Sequence, residues 1–227
     1  MLISLLVLMV VFLVAHLTSE TLVVFYKYTF VFLKRPMQGL NFSNFYAIVS
    51  RGFIAVYIMV VSLMIEQSLL KFNHYIIVVF LALITSAATT WMISRYEIYG
   101  GEADYGFSLK NVFRIKSSWI RQRPEAGRSS LMLISLVSGI QFLAVVIALG
   151  FGILFYEYRL TIMAFSPILG MFFTWVSLIM VEANLASKID NGSITAVEGM
   201  QSYLLARAYS YVIVAAVVLI CGVIYRA

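Results

Sequence analysis

The chain has 227 residues, of which 63% are hydrophobic and 11% are charged, and its formal net charge is +6. A soluble domain carries about 25% charged residues. One globule of this size cannot bury so much apolar side chain, so we expect an all-α, polytopic membrane protein with a single domain over residues 1–227. The single cysteine, Cys221, excludes an intrachain disulfide and a cysteine-based metal site. Nucleic acid is not an expected partner, because the basic residues stand between apolar stretches.

The apolar stretches predict about six transmembrane helices, since a helix needs roughly 20 predominantly apolar residues to cross a bilayer. They lie at 2–32, 42–65, 73–95, 129–156, 160–184 and 202–225. Pro36, Gly39 and the run NFSN separate the first two spans, and Asn41 or Ser43 is expected to cap the start of the second. The first span continues past any cleavage site for a signal peptide, so we expect it to be retained. Six spans allow two inverted three-helix halves.

The longest polar segment, residues 96–128, carries ten of the chain's 26 charged residues. Within it, the apolar residues of SLKNVFRIKSSWIRQR fall on one helical stripe and the basic residues surround the remainder. This pattern predicts an amphipathic helix, either in the lipid headgroup layer or in a solvated loop. Lysines and arginines outside the spans are concentrated after the first, third and fifth of them. The positive-inside rule therefore predicts that these loops are cytoplasmic and that both termini lie outside.

Ionisable residues inside the first span are expensive to retain in lipid, about 2.5–3.5 kcal/mol for a charge at the bilayer centre. The stretch VAHLTSETLVVFYK contains His16, Glu20 and Lys27, which helical spacing places on one face. We expect this face to look into a polar cavity inside the bundle. Two alternatives stay open: Lys27 can extend to the membrane interface, and His16 can form an interhelical hydrogen bond.

Two arginines lie deep in other spans, Arg51 in the second and Arg207 in the last. Arg207 has Tyr203 and Tyr211 one turn away on either side and Ser210 close by. Guanidinium groups with hydroxyls nearby suit a phosphate or diphosphate, which accepts paired N–H donors. The arginines are therefore candidates for binding an anion.

The carboxylates offer a competing interpretation. Glu20 and Glu182 can pair with the two arginines and hold helices together, and both accounts hold if an anion displaces a carboxylate. Glu182 lies near the end of the fifth span, from which it can also extend to the interface. Glu157 and Arg159 are expected to form a pair at the boundary of spans four and five.

Motifs for enzymatic chemistry are missing from the sequence. It has no glycine-rich nucleotide loop, no serine elbow and no zinc-type histidine pair. The segment SKIDNGS has one aspartate, where a divalent-metal cluster needs several. We expect no enzymatic activity, no cofactor and no metal, and the residues favour a small transporter or channel with an internal polar site.

The ordered set of polar residues resembles the Amj family of lipid II flippases, described as an alternative to MurJ. The block HLTSETLVVFYKY…NFSNFYAIVSRGF carries the matching residues His16, Glu20, Ser43, Asn44, Ser50 and Arg51. The block FYEYRLTIMAFSPILGMFFTWVSLIMVEANLASKIDNG carries Tyr158, Arg159, Thr161, Ser166, Gly170 and Asp190, and Arg207 is the third match. The resemblance covers nearly the whole chain in order, the middle by hydropathy only. One departure is Glu182-Ala183, where the family has Asp-Pro.

The resemblance implies a multi-pass flippase of the bacterial plasma membrane that serves peptidoglycan and cell-wall biogenesis. Its partners would be membrane lipids and an undecaprenyl-diphosphate-linked saccharide, moved from the cytoplasmic to the outer leaflet. The expected substrate-binding residues are Arg51, Arg207, His16, Glu20, Glu182, Arg159 and Asp190. Among these, the two arginines of spans two and six would contact the diphosphate, and Asp190 with Lys188 would lie at the cytoplasmic mouth. Pro167 and Gly170 would kink span five.

Two other functions stay open at this stage. His16 and Glu20 can relay protons in a transporter of a small solute or ion. A non-catalytic scaffold of a glycan-assembly complex is the third possibility, and it would use the amphipathic polar segment. Transport of a solute in liposomes would indicate the transporter. Disrupted complex assembly after charge reversal of an arginine would indicate the scaffold.

Overall fold

The computed structural model describes most of the chain as long helices. The described residues are 1–32, 34, 36–98, 117–119, 128–158, 161, 168, 171–172 and 175–226. Their helices are α1 (Leu2–Phe32), α2 (Pro36–Glu66), α3 (Phe72–Ile93), α4 (Arg128–Leu154), α5 (Ala183–Asp190) and α6 (Ala196–Arg226). A 3-10 turn, Tyr156–Tyr158, follows α4, and a π-helical turn, Leu178–Glu182, directly precedes α5. Two short strands, β1 (Tyr96–Ile98) and β2 (Ser117–Trp119), pair in antiparallel fashion.

Five of the described helices are long and apolar enough to cross a membrane. They are Leu2–Val31, Pro36–Glu66, Phe72–Ile93, Met132–Leu154 and Ala196–Tyr225. The expected all-α, multi-pass membrane protein is therefore confirmed. The predicted span at 160–184 falls largely outside the described residues, although its last part is helical and includes the π-helical turn.

The helices pack as a bundle in which α1 and α6 are central. α1 packs most extensively on α2 and also contacts α3 and α6, while α6 packs on α3 and α4 as well. Because each of these two helices touches at least three others, side chains on their inner faces meet residues from most of the bundle.

Buried apolar side chains form two clusters, one toward each end of the bundle. Along α1, the first cluster ends at Leu17 and the second begins at Val24. Along α6, the second cluster ends at Ala206 and the first resumes at Tyr211. The interval between the clusters lies near the middle of both helices, with Glu20 and Arg207 within it and His16 at its edge.

α2 begins at Pro36, earlier than expected, so Asn41 and Ser43 lie inside the helix and do not cap it. Proline is tolerated in a first helical turn because the N–H that it lacks would have no helical partner there. Gly39 belongs to the helix contact and not to a separating loop. A Cβ at this position would lie 2.6 Å from Cβ of Phe30, so glycine permits the close approach of α1 and α2.

In the polar segment 96–128, the described residues before Arg128, where α4 begins, form strands and not a helix. Ser117–Trp119 forms β2, with Trp119 opposite Tyr96 of β1. The predicted helix is wrong for these residues, since serine is a weak helix former and tryptophan fits a strand well. The rest of the predicted amphipathic helix lies outside the described residues.

α6 begins at Ala196, before the predicted boundary at residue 202, because a capping box fixes its first turn. The backbone N–H of Thr195 donates to Oε2 of Glu198 at 2.7 Å, and the N–H of Glu198 donates to the Thr195 hydroxyl at 3.2 Å. The signal is visible in the sequence as TAVE. The boundary expected from apolarity alone comes later, because Glu198, Gln201 and Ser202 interrupt the apolar sequence at the start of the helix.

Candidate functional site

Most of the predicted site residues line one cavity of about 580 Å³ at the middle of the bundle. Its wall is formed by α1, α2, α3, α4 and α6, together with side chains between positions 171 and 182. The polar lining residues are His16, Glu20, Arg51, Tyr57, Tyr75, Ser138, Ser177, Glu182, Tyr203, Arg207 and Tyr211. Leucines, valines, Ile54, Phe142 and Met171 complete the wall. One part of the cavity wall is therefore a charged band, formed by His16, Glu20, Arg51, Glu182 and Arg207, and the rest of the wall is largely apolar.

His16 and Ser50 are hydrogen bonded across the contact between α1 and α2. Nδ1 of His16 lies 3.1 Å from the carbonyl oxygen of Ser50 and 2.8 Å from its hydroxyl. That hydroxyl donates its only proton to Oε1 of Glu20, 2.8 Å away, so it accepts from His16. Nδ1 therefore carries a hydrogen, and the lone pair of neutral His16 is on Nε2. No described residue hydrogen bonds to that nitrogen.

Glu20 also holds α6 through Arg207. The terminal nitrogen NH2 of Arg207 donates to Oε2 of Glu20 at 3.2 Å, and Nε donates to the hydroxyl of Tyr211 at 2.7 Å. A guanidinium has five N–H donors, and these contacts use two of them. The Ser210 hydroxyl donates to the backbone carbonyl oxygen of Arg207, so its hydrogen is not available to a bound phosphate. Only 14% of the Arg207 side chain is exposed, so its remaining donors face the interior.

Arg51 lines the same cavity, and no described residue is its partner. It is exposed, and it makes no hydrogen bond or ion pair with any residue in the described ranges. Successive residues of an α-helix are about 100° apart around the axis, so Ser50 can reach α1 while Arg51 is directed elsewhere on the cavity wall. The expected pairing of an arginine with a carboxylate is therefore right for Arg207 with Glu20 and wrong for Arg51. The described residues thus use none of the donors of Arg51.

A second ion pair joins α1 to the π-helical turn. Nζ of Lys27 lies 2.5 Å from Oε2 of Glu182. The expected pairing of Glu182 with an arginine is wrong, because Lys27 occupies its carboxylate. Lys27 does not line the cavity itself, although its partner does. A π-helical turn shifts the side chains that follow it around the helix, and such turns are frequent at functional sites.

Asp190 lies away from the cavity. It is exposed at the end of α5, eight residues beyond Glu182 and therefore about 12 Å further along a helix. Lys188 lines a separate cavity of about 200 Å³ together with Leu133 of α4. The structure thus does not bring this part of the predicted mouth to the charged band. Arg159 falls outside the described residues, and so do the predicted kink residues of span five.

Tyrosines of α2 and α3 complete the polar wall, and the sequence pattern does not predict this position for them. Tyr75 is buried, and its hydroxyl donates to the carbonyl oxygen of Val146 in α4 at 3.0 Å. Tyr57 is buried beside it on the cavity. The chain has 14 tyrosines, and no spacing in the sequence distinguishes these two from the others. Their role becomes visible only once the helices are packed.

Comparison of the chain with protein-family models, with curated proteins and with solved structures finds no match.

Proposed function

We propose that this protein is a flippase that moves an undecaprenyl-diphosphate-linked saccharide, lipid II or a related lipid, from the cytoplasmic to the outer leaflet of a bacterial plasma membrane. The observation that carries the proposal is the position of Arg51. It is unpaired within the described chain and shares one mid-bundle cavity with Arg207. The ordered resemblance to the Amj flippases points to the same class of substrate.

The two guanidinium groups can replace the hydrogen bonds to water that a diphosphate loses when it leaves the solvent. A charged headgroup in hydrocarbon is deprived of its hydration at a large free-energy cost. Arginine replaces water well, because its rigid fork donates two parallel hydrogen bonds to phosphate oxygens. Arg51 offers all of its donors and Arg207 offers those that Glu20 and Tyr211 do not use. In this proposal the charged band holds both phosphates at once.

The size and lining of the cavity also suit a lipid headgroup. Its volume of about 580 Å³ falls within the about 300–1,000 Å³ that is typical of ligand pockets. Its apolar wall allows the polyprenyl chain to stay among the acyl chains while the diphosphate occupies the charged band. In this proposal the protein conducts the headgroup only, and the tail never leaves the membrane.

Liposomes test the proposal directly. They would contain the purified protein and a labelled undecaprenyl-diphosphate disaccharide, and a membrane-impermeant reagent would modify the sugar in the outer leaflet. With the wild-type protein, we expect the modified fraction to rise toward the whole lipid pool. Arg51→Gln should slow this exposure at least about tenfold, because a hydrogen bond to a charged group contributes about 1.5–3 kcal/mol.

Lys71→Gln is the matched control for Arg51→Gln. Lys71 is an exposed cation before α3 that does not line the cavity, so its replacement should leave the rate unchanged. In cells that lack their other flippases, Arg51→Gln should fail to complement while its level in the membrane stays normal. A wild-type rate for Arg51→Gln, or no protein-dependent exposure of the lipid, would contradict the proposal.

One observation favours a second function, proton-coupled transport of a small solute or ion. His16, Ser50 and Glu20 form an unbroken hydrogen-bonded chain that begins at a cavity-facing imidazole. Such a transporter would move its solute in the same liposomes without changing the exposure of the labelled lipid.

A further inference from the structure

We infer that the cavity takes up one proton with each diphosphate headgroup, along the chain His16–Ser50–Glu20, so that translocation is coupled to proton movement. This inference rests on the proposed flippase function and adds to it that a proton moves with the lipid.

The hydrogen bonds define the route of the proton. A proton from cavity water binds Nε2 of His16, the nitrogen without a partner in the described chain. The hydrogen on Nδ1 then passes to the hydroxyl of Ser50, and the hydroxyl hydrogen passes to Oε1 of Glu20. At the end His16 is neutral again with its hydrogen on Nε2, Ser50 is unchanged, and Glu20 has become a carboxylic acid. One proton has entered and no other group has gained or lost charge.

The charges on the cavity wall explain why the proton and the lipid should bind together. Arg51 and Arg207 each carry a positive charge, and ionised Glu20 compensates one of them. The pair of Lys27 with Glu182 is neutral as a unit. A diphosphate diester carries one negative charge on each phosphate. These two charges balance the positive charge of the cavity wall only after Glu20 has been neutralised.

Protonation also frees the donor that the lipid needs. Neutral Glu20 has lost its charge, so its Oε2 accepts only a weaker, neutral hydrogen bond from NH2 of Arg207, while Nε stays hydrogen bonded to Tyr211 and keeps the side chain in place. A buried guanidinium that has lost its counter-ion is unstable, and an incoming phosphate removes that instability. Proton and diphosphate therefore stabilise each other in the cavity.

Glu20 is surrounded by titratable and charged groups from most of the wall. They are His16 of α1, Arg51 and Tyr57 of α2, Tyr75 of α3, Glu182 of the π-helical turn, and Tyr203, Arg207 and Tyr211 of α6. From α4, the polar residue that the structure places on the cavity is Ser138. Histidine is the side chain in this set that is suited to passing protons near neutral pH, and His16 is also the one joined to Glu20 through Ser50.

A proton count during binding tests the inference. Purified wild-type protein in weakly buffered detergent, with a pH indicator, would be titrated with an undecaprenyl-diphosphate disaccharide. Both phosphates of this diester are ionised throughout the neutral range, so any proton is taken up by the protein. We expect about one proton per bound lipid, with the affinity falling about tenfold for each unit of pH increase while Glu20 is ionised in the free protein. Glu20→Gln should bind the lipid without proton uptake and independently of pH.

The outcomes separate this inference from the proposed function. Lipid binding and flipping by the wild type without proton uptake would overturn the inference and leave the flippase standing. Absence of both lipid binding and flipping would contradict the proposed flippase function itself. Undiminished proton uptake by Glu20→Gln, or loss of lipid binding in that variant, would overturn the inference, since it would show that the proton goes elsewhere or that the carboxylate itself is required.

Ser50 provides a second, independent test. Ser50→Ala keeps every charged group but breaks the chain, so lipid binding with about one proton should persist at equilibrium while flipping slows at least tenfold. Ser50→Thr restores a hydroxyl at the same position and should recover the rate. Flipping by Ser50→Ala at the wild-type rate would overturn the proposed route.

Discussion

Tyr211 orients the guanidinium of Arg207 within the charged band. Its hydroxyl accepts from Nε of Arg207, and its ring packs edge-on against Phe142 of α4 at a centroid distance of 5.7 Å. The side chain is almost wholly buried, so neither contact competes with water. An uncharged residue thus determines where one of the two cationic groups can point.

Removing the Tyr211 hydroxyl should cost stability as well as lipid affinity. Tyr211→Phe leaves Nε of Arg207 without its acceptor, and an unsatisfied buried donor costs about 1–3 kcal/mol. Thermal unfolding of the detergent-purified protein should show a lower midpoint. Tyr209→Phe is the matched control, because Tyr209 lies on the exposed side of the same helix at 55% exposure. Equal midpoints for the two variants would contradict the assigned role of Tyr211.

At the level of single residues, the sequence predicts which side chains meet but not all of their pairings. His16, Glu20 and Arg207 lie in apolar spans. Charged side chains in such spans are favourable only where they pair with one another or face a cavity. The partner of Glu182 was not predictable in the same way. Its position depends on a π-helical turn in LIMVE, a sequence that is equally compatible with a regular α-helix.

Between elements, the contact of α1 with α2 depends on one of two glycines in α2. A Cβ at Gly39 would lie 2.6 Å from Cβ of Phe30 and 3.1 Å from the carbonyl oxygen of Tyr26. A Cβ at Gly52 would meet no described atom within 4 Å. Glycine is therefore needed for helix packing at the first position and not at the second.

Alanine substitutions should separate the two glycines. Gly39→Ala should lower the thermal midpoint, since backbone and Cβ atoms cannot move aside as a flexible side chain can. Gly52→Ala should leave the midpoint unchanged or raise it, because alanine is favoured over glycine in a helix by about 0.5–1 kcal/mol. Thermal unfolding in one detergent checks both, and a stable Gly39→Ala variant would contradict the packing described here.

The ion pair of Lys27 with Glu182 ties α1 to the π-helical turn. Charge reversal at one position, Lys27→Glu or Glu182→Lys, places like charges together and should lower the thermal midpoint. The double reversal restores an attractive pair and should recover most of the loss. Lys71→Glu, a reversal at an exposed lysine with no partner in the described ranges, should have little effect. A double variant no more stable than the singles would show that the pair does not form.

At the level of elements, helices were easier to predict than their ends. Long apolar stretches identify a membrane helix because the hydrocarbon core has a fixed thickness. The start of α2 at Pro36 and of α6 at Ala196 depends instead on first-turn chemistry, which apolarity does not report. The strand at Ser117–Trp119 depends on pairing with a distant segment, which a helical stripe in the sequence cannot reveal.

The whole molecule is a helical bundle with a charged band between two apolar clusters. The clusters stabilise the ends of the bundle, and the band occupies the cavity where the packing is open. Apolar composition predicted the bundle, and the cost of charge in lipid predicted that it has a polar interior. The volume of that interior and the unpaired state of Arg51 follow only from how the helices pack. The proposed flippase function is argued from these two features.

Direct binding tests the central claim, that Arg51 and Arg207 hold the diphosphate of a lipid in this cavity. The measurement is the affinity of the detergent-purified protein for an undecaprenyl-diphosphate disaccharide and for undecaprenol, which has the same tail and no phosphate. The account predicts that the wild type prefers the diphosphate lipid at least about tenfold, and that Arg51→Gln and Arg207→Gln each lose most of this preference without a change in undecaprenol binding. Equal affinities of the wild type for both lipids, or an undiminished preference in both variants, would contradict it.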